Sequence, residues 1–217
     1  MINPGMADSP IIFIVDDDDA VLDSLSMLIE SAGMKTEIFS SCREFLAKTA
    51  LPQHACLLLD IHMPEMTGLQ LQDELVKRGI KLPVIVMTGQ ADVPLAVRAM
   101  KAGASDFIEK PFAGDVMLDS VRRALASTHA AKANAGVDPA VQQHLTQLSP
   151  REHEVLLQMI AGNPNKITAH NLGISPRTVE IHRARVMEKM NARSLSELVR
   201  MALAAGLDPG TGEPGTA

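Results

Sequence analysis

Five short apolar runs, Ile11 to Val15, Lys35 to Phe39, Ala55 to Leu59, Pro83 to Met87 and Ser105 to Ile108, alternate with longer amphipathic stretches through the first half of the chain. Runs of that length and apolar, β-branched character predict strands. The stretches between and after them, at Asp18 to Ala32, Ser41 to Thr49, Gly68 to Arg78, Val93 to Ala102 and Gly114 to Ser127, predict helices. IIFIV, CLLL and VIVM are apolar on both faces, as strands covered by helices on both sides must be. Right-handed crossovers pack five such repeats into an α/β doubly wound five-stranded parallel sheet, whose ligands bind beyond the carboxyl ends of the strands. Functional side chains are therefore expected just after each strand.

The pattern changes after Ser127. Residues to Gln147 are rich in Ala, Asn, His and Gln, with a break at Gly136, Asp138 and Pro139, which predicts a linker that is partly helical. Ser149-Pro150-Arg151-Glu152 then supplies an N-cap, a first-position proline and the Glu of a capping box. Helices are expected at Pro150 to Ala161, Lys166 to Leu172, Pro176 to Met190 and Ser194 to Ala205, an all-α four-helix module, followed by a Gly- and Pro-rich tail read as disordered. The expected organisation is a first domain over 1–128, a linker over 129–147, the helical domain over 148–207 and the tail over 208–217.

Five Phe and no Trp or Tyr argue against stacking on single-stranded nucleic acid. The first fifteen residues have no basic segment and run straight into four aspartates, unlike a signal peptide or membrane anchor. Cys42 and Cys56 lack metal-ligand spacing and read as core thiols of a cytoplasmic protein. Residues 1–128 carry 18 acidic against 11 basic side chains, net −7, whereas residues 149–217 carry 7 against 8, net +1. Five basic residues (Arg177, Arg183, Arg185, Lys189, Arg193) against two acidic fall between Pro176 and Arg193. The two halves are thus expected to meet different partners.

Asp16 and Asp17 end the first strand and Asp60 ends the third, so the topology gathers carboxylates at one rim. Their repulsion calls for a hard cation, Mg²⁺ above all. Thr88 and Lys110 bring a hydroxyl and an ammonium to the same rim, both suited to phosphoryl oxygens. The set fits formation of an acyl phosphate, with Asp60 the best nucleophile. Singly these residues have plainer uses, Asp18 and Asp19 as helix caps above all; their combination carries the inference.

The stretches IVDDDD, LLLDIHMPEMTG, VIVMTG and DFIEKPF resemble the receiver domain of two-component response regulators, a flavodoxin-like fold of the CheY kind, over roughly residues 9 to 128. That resemblance implies that Asp60 is the phosphoacceptor, that Asp16, Asp17 and Asp60 hold Mg²⁺ with the His62 carbonyl, and that Thr88 and Lys110 bind the phosphoryl group. It further implies that Phe107 is the switch aromatic and that Lys110-Pro111 is cis. Gln90 and Ala91 depart from the commoner His and Gly, beside the route of an attacking water.

In the second half, a helix, a tight turn at Gly173 and the basic helix from Pro176 form a helix-turn-helix arrangement. Val179, Val186 and Met190 recur at helical spacing and should face the core, leaving Thr178, Glu180, His182, Arg183 and Arg185 more exposed. LSPRE, AGNPNK and ISPRTVEIH resemble the LuxR-type DNA-binding domain, and about 195 residues together resemble the FixJ class of transcriptional regulators. By position, Glu180, Ile181 and Ala184 fall at base-reading sites, with Arg177, Thr178, Arg183, Arg185 and Lys189 nearer the phosphates. One departure is Ile167-Thr168-Ala169, where the Ile usually directly precedes the Ala.

The implied partners are a cognate sensor histidine kinase, double-stranded promoter DNA and a second copy of the chain on phosphorylation; RNA polymerase is a candidate partner and no membrane is. The chain is expected not to be an enzyme. The alternative is a Mg-dependent aspartyl-phosphate phosphatase or phosphotransferase, but His62 stands where such enzymes carry an acid-base Asp. A third reading makes the helical half a protein-interaction module, distinguishable by salt-insensitive DNA association.

Overall fold

A computed structural model of the chain describes residues 9–48, 50–89, 93–130 and 139–207. The expected tail, part of the linker, Gln90 and Ala91 lie outside the described residues. The chain divides into two compact units, residues 1–90 with 102–134 and residues 91–101 with 135–217.

In the first unit the strands are β1 (Ile11–Val15), β2 (Lys35–Phe39), β3 (Ala55–Asp60), β4 (Val84–Thr88) and β5 (Asp106–Glu109). All pairings are parallel and the order is β2-β1-β3-β4-β5, so the direction of strand addition reverses at β1. Helices α1 (Asp19–Ser31), α2 (Cys42–Leu46), α3 (Gly68–Lys77), α4 (Val93–Lys101) and α5 (Gly114–Ala130) follow the strands in turn; of these α4 groups with the second unit, whereas the sequence places it in the first domain expected over 1–128. Every expected strand is present, to within a residue at its ends. All six residues of central β3 are buried, which is why its sequence is apolar on both faces until it reaches Asp60.

One core joins Ile12, Ile14, Leu58, Ile85 and Met87 of the sheet to Leu22, Leu25 and Ile29 of α1 and Met117 and Val121 of α5. Alternation along β1 sends Phe13 to the opposite face, where it meets Phe39 and Phe45 at centroid distances of 6.1 and 5.5 Å. Both cysteines are buried and free, and burial pushes their thiols up to about 12. Asp18 caps α1 by accepting from the Ala20 N–H, the structural use anticipated for it. Helix α5 runs past the expected boundary at 128, since no helix breaker occurs before Gly136.

The second unit contains α6 (Pro139–Thr146), α7 (Pro150–Ile160), α8 (Asn165–Leu172), α9 (Pro176–Lys189) and α10 (Leu195–Ala204). Ser149 and Glu152 form the anticipated capping box, Pro150 and Pro176 stand in the first turns of α7 and α9, and Ser175 and Ser194 cap α9 and α10. Gly173 ends α8 with φ 64°, a left-handed conformation that makes the turn into α9 tight. Val155, Leu156, Ile160, Val179, Val186, Met190, Leu198 and Val199 are fully buried.

Candidate functional site

At the carboxyl rim of the sheet, β1 and β3 are adjacent, so Asp16 just beyond one and Asp60 at the end of the other stand side by side. Both are buried, at 1% and 5% exposure. Two buried carboxylates repel unless a cation joins them. Lys110, following β5, supplies it: its Nζ donates to Asp16 Oδ2 at 2.5 Å and to Asp60 Oδ1 at 2.7 Å. Burial pushes the Asp16 carboxyl up, opposed by the Lys110 and Asp18 N–H hydrogen bonds. Burial also works against the ammonium, but the two carboxylates hold Lys110 above its ordinary value.

The second Asp60 oxygen accepts from the backbone N–H of His62 at 2.6 Å. Thr88, fully buried at the end of β4, shares a hydrogen bond of 3.1 Å with His62 Nδ1. Phe107 is half-buried on β5, and Lys110-Pro111 is cis, as expected. Asp17 is exposed, so the rim joins two carboxylates directly to Lys110 rather than three. Among the described residues no group of three His, Cys, Asp or Glu side chains is placed to hold a metal. The donors that are present, the two carboxylates Asp16 and Asp60, offer oxygens and fit Mg²⁺, which takes one or two carboxylates and fills its shell with water and phosphate oxygens.

The loop from β3 to α3 closes under the site. The Gly68 N–H donates to Ile61 O at 3.0 Å, and a Cβ on Gly68 would lie 2.2 Å from the carbonyl oxygen of Asp60. That residue was missed at the sequence level, where only the TG after the MPEM run hinted at a helix start. Gly68→Ala is expected to cost about 1–3 kcal/mol, because backbone cannot yield as a side-chain tip can. It should also displace Asp60. Thermal melting together with the rate of phosphate uptake checks this; wild-type values for both would exclude the close approach.

On α9 the outward side carries Arg177, Glu180, Ile181, Ala184 and Arg185, all exposed, with Ile181 at 49%. A large exposed apolar side chain between charged ones suits contact with a base edge such as a thymine methyl. Thr178 is half-buried. Arg183 departs from expectation: it is half-buried, and its Nη1 and the Nδ1 of His182 are buried with no hydrogen-bond partner among the described residues. Four residues after Val179 and three before Val186, Arg183 lies on the apolar stripe itself. Burial pulls its pKa below the ordinary value.

Lys189 also has an internal use. Its Nζ donates to Glu152 Oε2 at 2.6 Å and to the carbonyl of Gln147 at 3.1 Å, tying α9 to the start of α7. Lys189 and the Ser149 N–H hold the Glu152 carboxyl down to about 2. A depressed acid contributes stability that is present above its unfolded pKa, here 4.5, and is lost as pH falls toward 2. The helical unit of wild type is therefore expected to weaken over that window, and Glu152→Gln to remove most of the dependence. Acid titration by circular dichroism reads both; identical acid profiles would exclude the pair as the cause.

Residues 12–122 match the family described as response regulator receiver domain, and residues 146–202 match bacterial regulatory proteins, luxR family. The chain is 47% identical over 200 residues to the transcriptional regulatory protein FixJ of Rhizobium meliloti strain 1021, covering 91% of this chain and 97% of that one. It is 46% identical over 204 residues to FixJ of Azorhizobium caulinodans, covering 94% and 97%. Among solved structures, full-length FixJ from B. japonicum superposes with a TM-score of 0.52 at 40% identity, covering 91% of this chain and 97% of that chain.

Proposed function

Because the chain belongs to the FixJ class of two-component response regulators, with a receiver domain followed by a LuxR-type DNA-binding domain, we propose that phosphorylation of Asp60 by a histidine kinase drives its dimerisation through the receiver and its binding to promoter DNA. The observation that carries this reading is the buried Asp16–Lys110–Asp60 constellation at the carboxyl rim. In the transfer, a P–O bond to the Asp60 carboxylate forms as the P–N bond to the kinase histidine breaks. Lys110 stays beside the new group and neutralises part of its added charge of about −1.5 to −2. Mg²⁺ held by Asp16, Asp17, Asp60 and the His62 carbonyl would supply the remaining positive charge.

Thr88 turns its hydroxyl toward the phosphoryl oxygens, and Phe107 moves into the space this opens, altering the surface around β5. Two DNA-binding domains brought together double the number of phosphate contacts. In each, Glu180, Ile181 and Ala184 face base edges, and Arg177, Thr178, Arg183 and Arg185 lie nearer the backbone, with Lys189 shared between that role and its pair with Glu152. The receiver is assigned to 1–128 and the DNA-binding domain to 148–207, both acting in the cytoplasm, where kinase and promoter are accessible. The relatives found are transcriptional regulators, and nothing favours the phosphatase reading over this one.

Intact mass and size-exclusion elution with Mg²⁺ and acetyl phosphate test the proposal. One phosphate adduct with a shift to dimer is expected, and an unmodified wild type would overturn it. For the DNA half, Arg185→Ala is expected to weaken binding to duplexes of any sequence and to lower the slope of log affinity against log salt by about one. An unchanged slope would remove Arg185 from the phosphate-contacting set.

A further inference from the structure

The main chain of Thr88 is fixed against β5: it pairs with Glu109, and its carbonyl accepts from the Lys110 N–H at 2.7 Å. What can still move is the hydroxyl, by rotation about one side-chain bond. Being fully buried, that hydroxyl needs a hydrogen-bond partner. It has His62 Nδ1 at 3.1 Å, and His62 in turn is anchored by its backbone N–H on Asp60 Oδ2 at 2.6 Å. The residue that touches the phosphoacceptor through its main chain thus touches the switch hydroxyl through its ring.

We propose that His62 is a positioning residue that holds Thr88 in the unphosphorylated arrangement, so that phosphorylation must draw the hydroxyl away from an imidazole. The inference rests on the reading of Asp60 as phosphoacceptor. A phosphoryl oxygen is a charged acceptor and makes a stronger hydrogen bond to the hydroxyl than an uncharged partner does. Before phosphorylation the phosphoryl oxygens are absent, and the His62 bond favours the resting state. Two arrangements of one hydroxyl, each with its own hydrogen-bond partner, make the element two-state, and His62 sets the resting bias. Removing one ordinary hydrogen bond from one side of a two-state equilibrium shifts its ratio roughly fivefold.

The experiment is sedimentation equilibrium of the full chain without phosphodonor, where self-association reads the bias directly. His62→Ala and His62→Phe, the second keeping a ring without the nitrogen, should both self-associate roughly 25-fold more tightly than wild type, because the fivefold shift enters once for each protomer of the dimer. His62→Asn, which keeps a polar atom near the position of Nδ1, should stay near wild type. In the Thr88→Val background His62→Ala should have no further effect, because the bond it removes is already gone. Wild-type association in the Ala and Phe variants, an Asn variant that behaves like Ala, or additive effects in the double variant would each overturn the proposal. A wild type that fails to dimerise even with phosphodonor would instead overturn the functional reading beneath it.

Discussion

Asp60→Ala is expected to take up no phosphate from acetyl phosphate and to remain monomeric at every donor concentration. Asp16 is not expected to substitute as nucleophile: it is the more deeply buried of the two carboxylates, at 1% exposure against 5% for Asp60, and it accepts from Lys110 and from the Asp18 N–H. Asp17 is exposed, whereas the ion pairs of the Lys110 ammonium run to Asp16 and Asp60. The fold should survive, with stability within about 1 kcal/mol of wild type, since relief of the Asp16–Asp60 repulsion offsets the lost ion pair. Intact mass, elution volume and thermal melting give the three readings. A phosphate adduct on the variant would remove Asp60 from its assigned role, whereas a large loss of melting temperature would make the residue structural first.

Lys110→Met should have the opposite balance, a large loss of stability as well as of switching. The methionine fills the space of the lysine stem but leaves Asp16 and Asp60 buried with no cation between them. Breaking a buried ion pair by removing one partner costs about 3–5 kcal/mol, roughly 10–20 °C for a unit of this size. Two conditions should recover part of it. Mg²⁺ should raise the melting point of the variant by more than it raises that of wild type, because a divalent ion restores the missing charge. Acid should help as well: Asp16 already lies above its ordinary value in the folded state, so its contribution is most favourable at low pH and is lost as pH rises through the folded pKa. Calorimetry with Mg²⁺ and with a chelator decides the matter, and a variant that melts with wild type in both would mean the ammonium does not hold the carboxylates together.

Most of the fold was legible from one dimension because its signals are local. Apolar runs of strand length, a Ser-Pro-x-Glu capping box before α7 and a glycine between α8 and α9 each report on their own few residues. The rim residues were legible for a related reason: in a parallel α/β sheet every strand ends on the same side, so position at a strand end already implies proximity. Facing on α9 was less so. Counting from Val179 to Val186 located the core stripe but passed over Arg183, which lies on it, since a guanidinium is ordinarily read as solvent-seeking.

The sequence by itself therefore determined the five parallel strands, the caps of the helices and the identity of the residues that stand at the strand ends. Only the tertiary structure decided which of them touch. That Lys110 reaches Asp16 across 94 residues and Asp60 across 50, that Gly68 must lack a side chain because the carbonyl of Asp60 fills the space, and that His62 meets Thr88 and Lys189 meets Glu152 are pairings between distant segments. No periodicity encodes them, because hydrogen bonds and steric limits act over a few ångströms in space, whereas the sequence orders residues only along the chain.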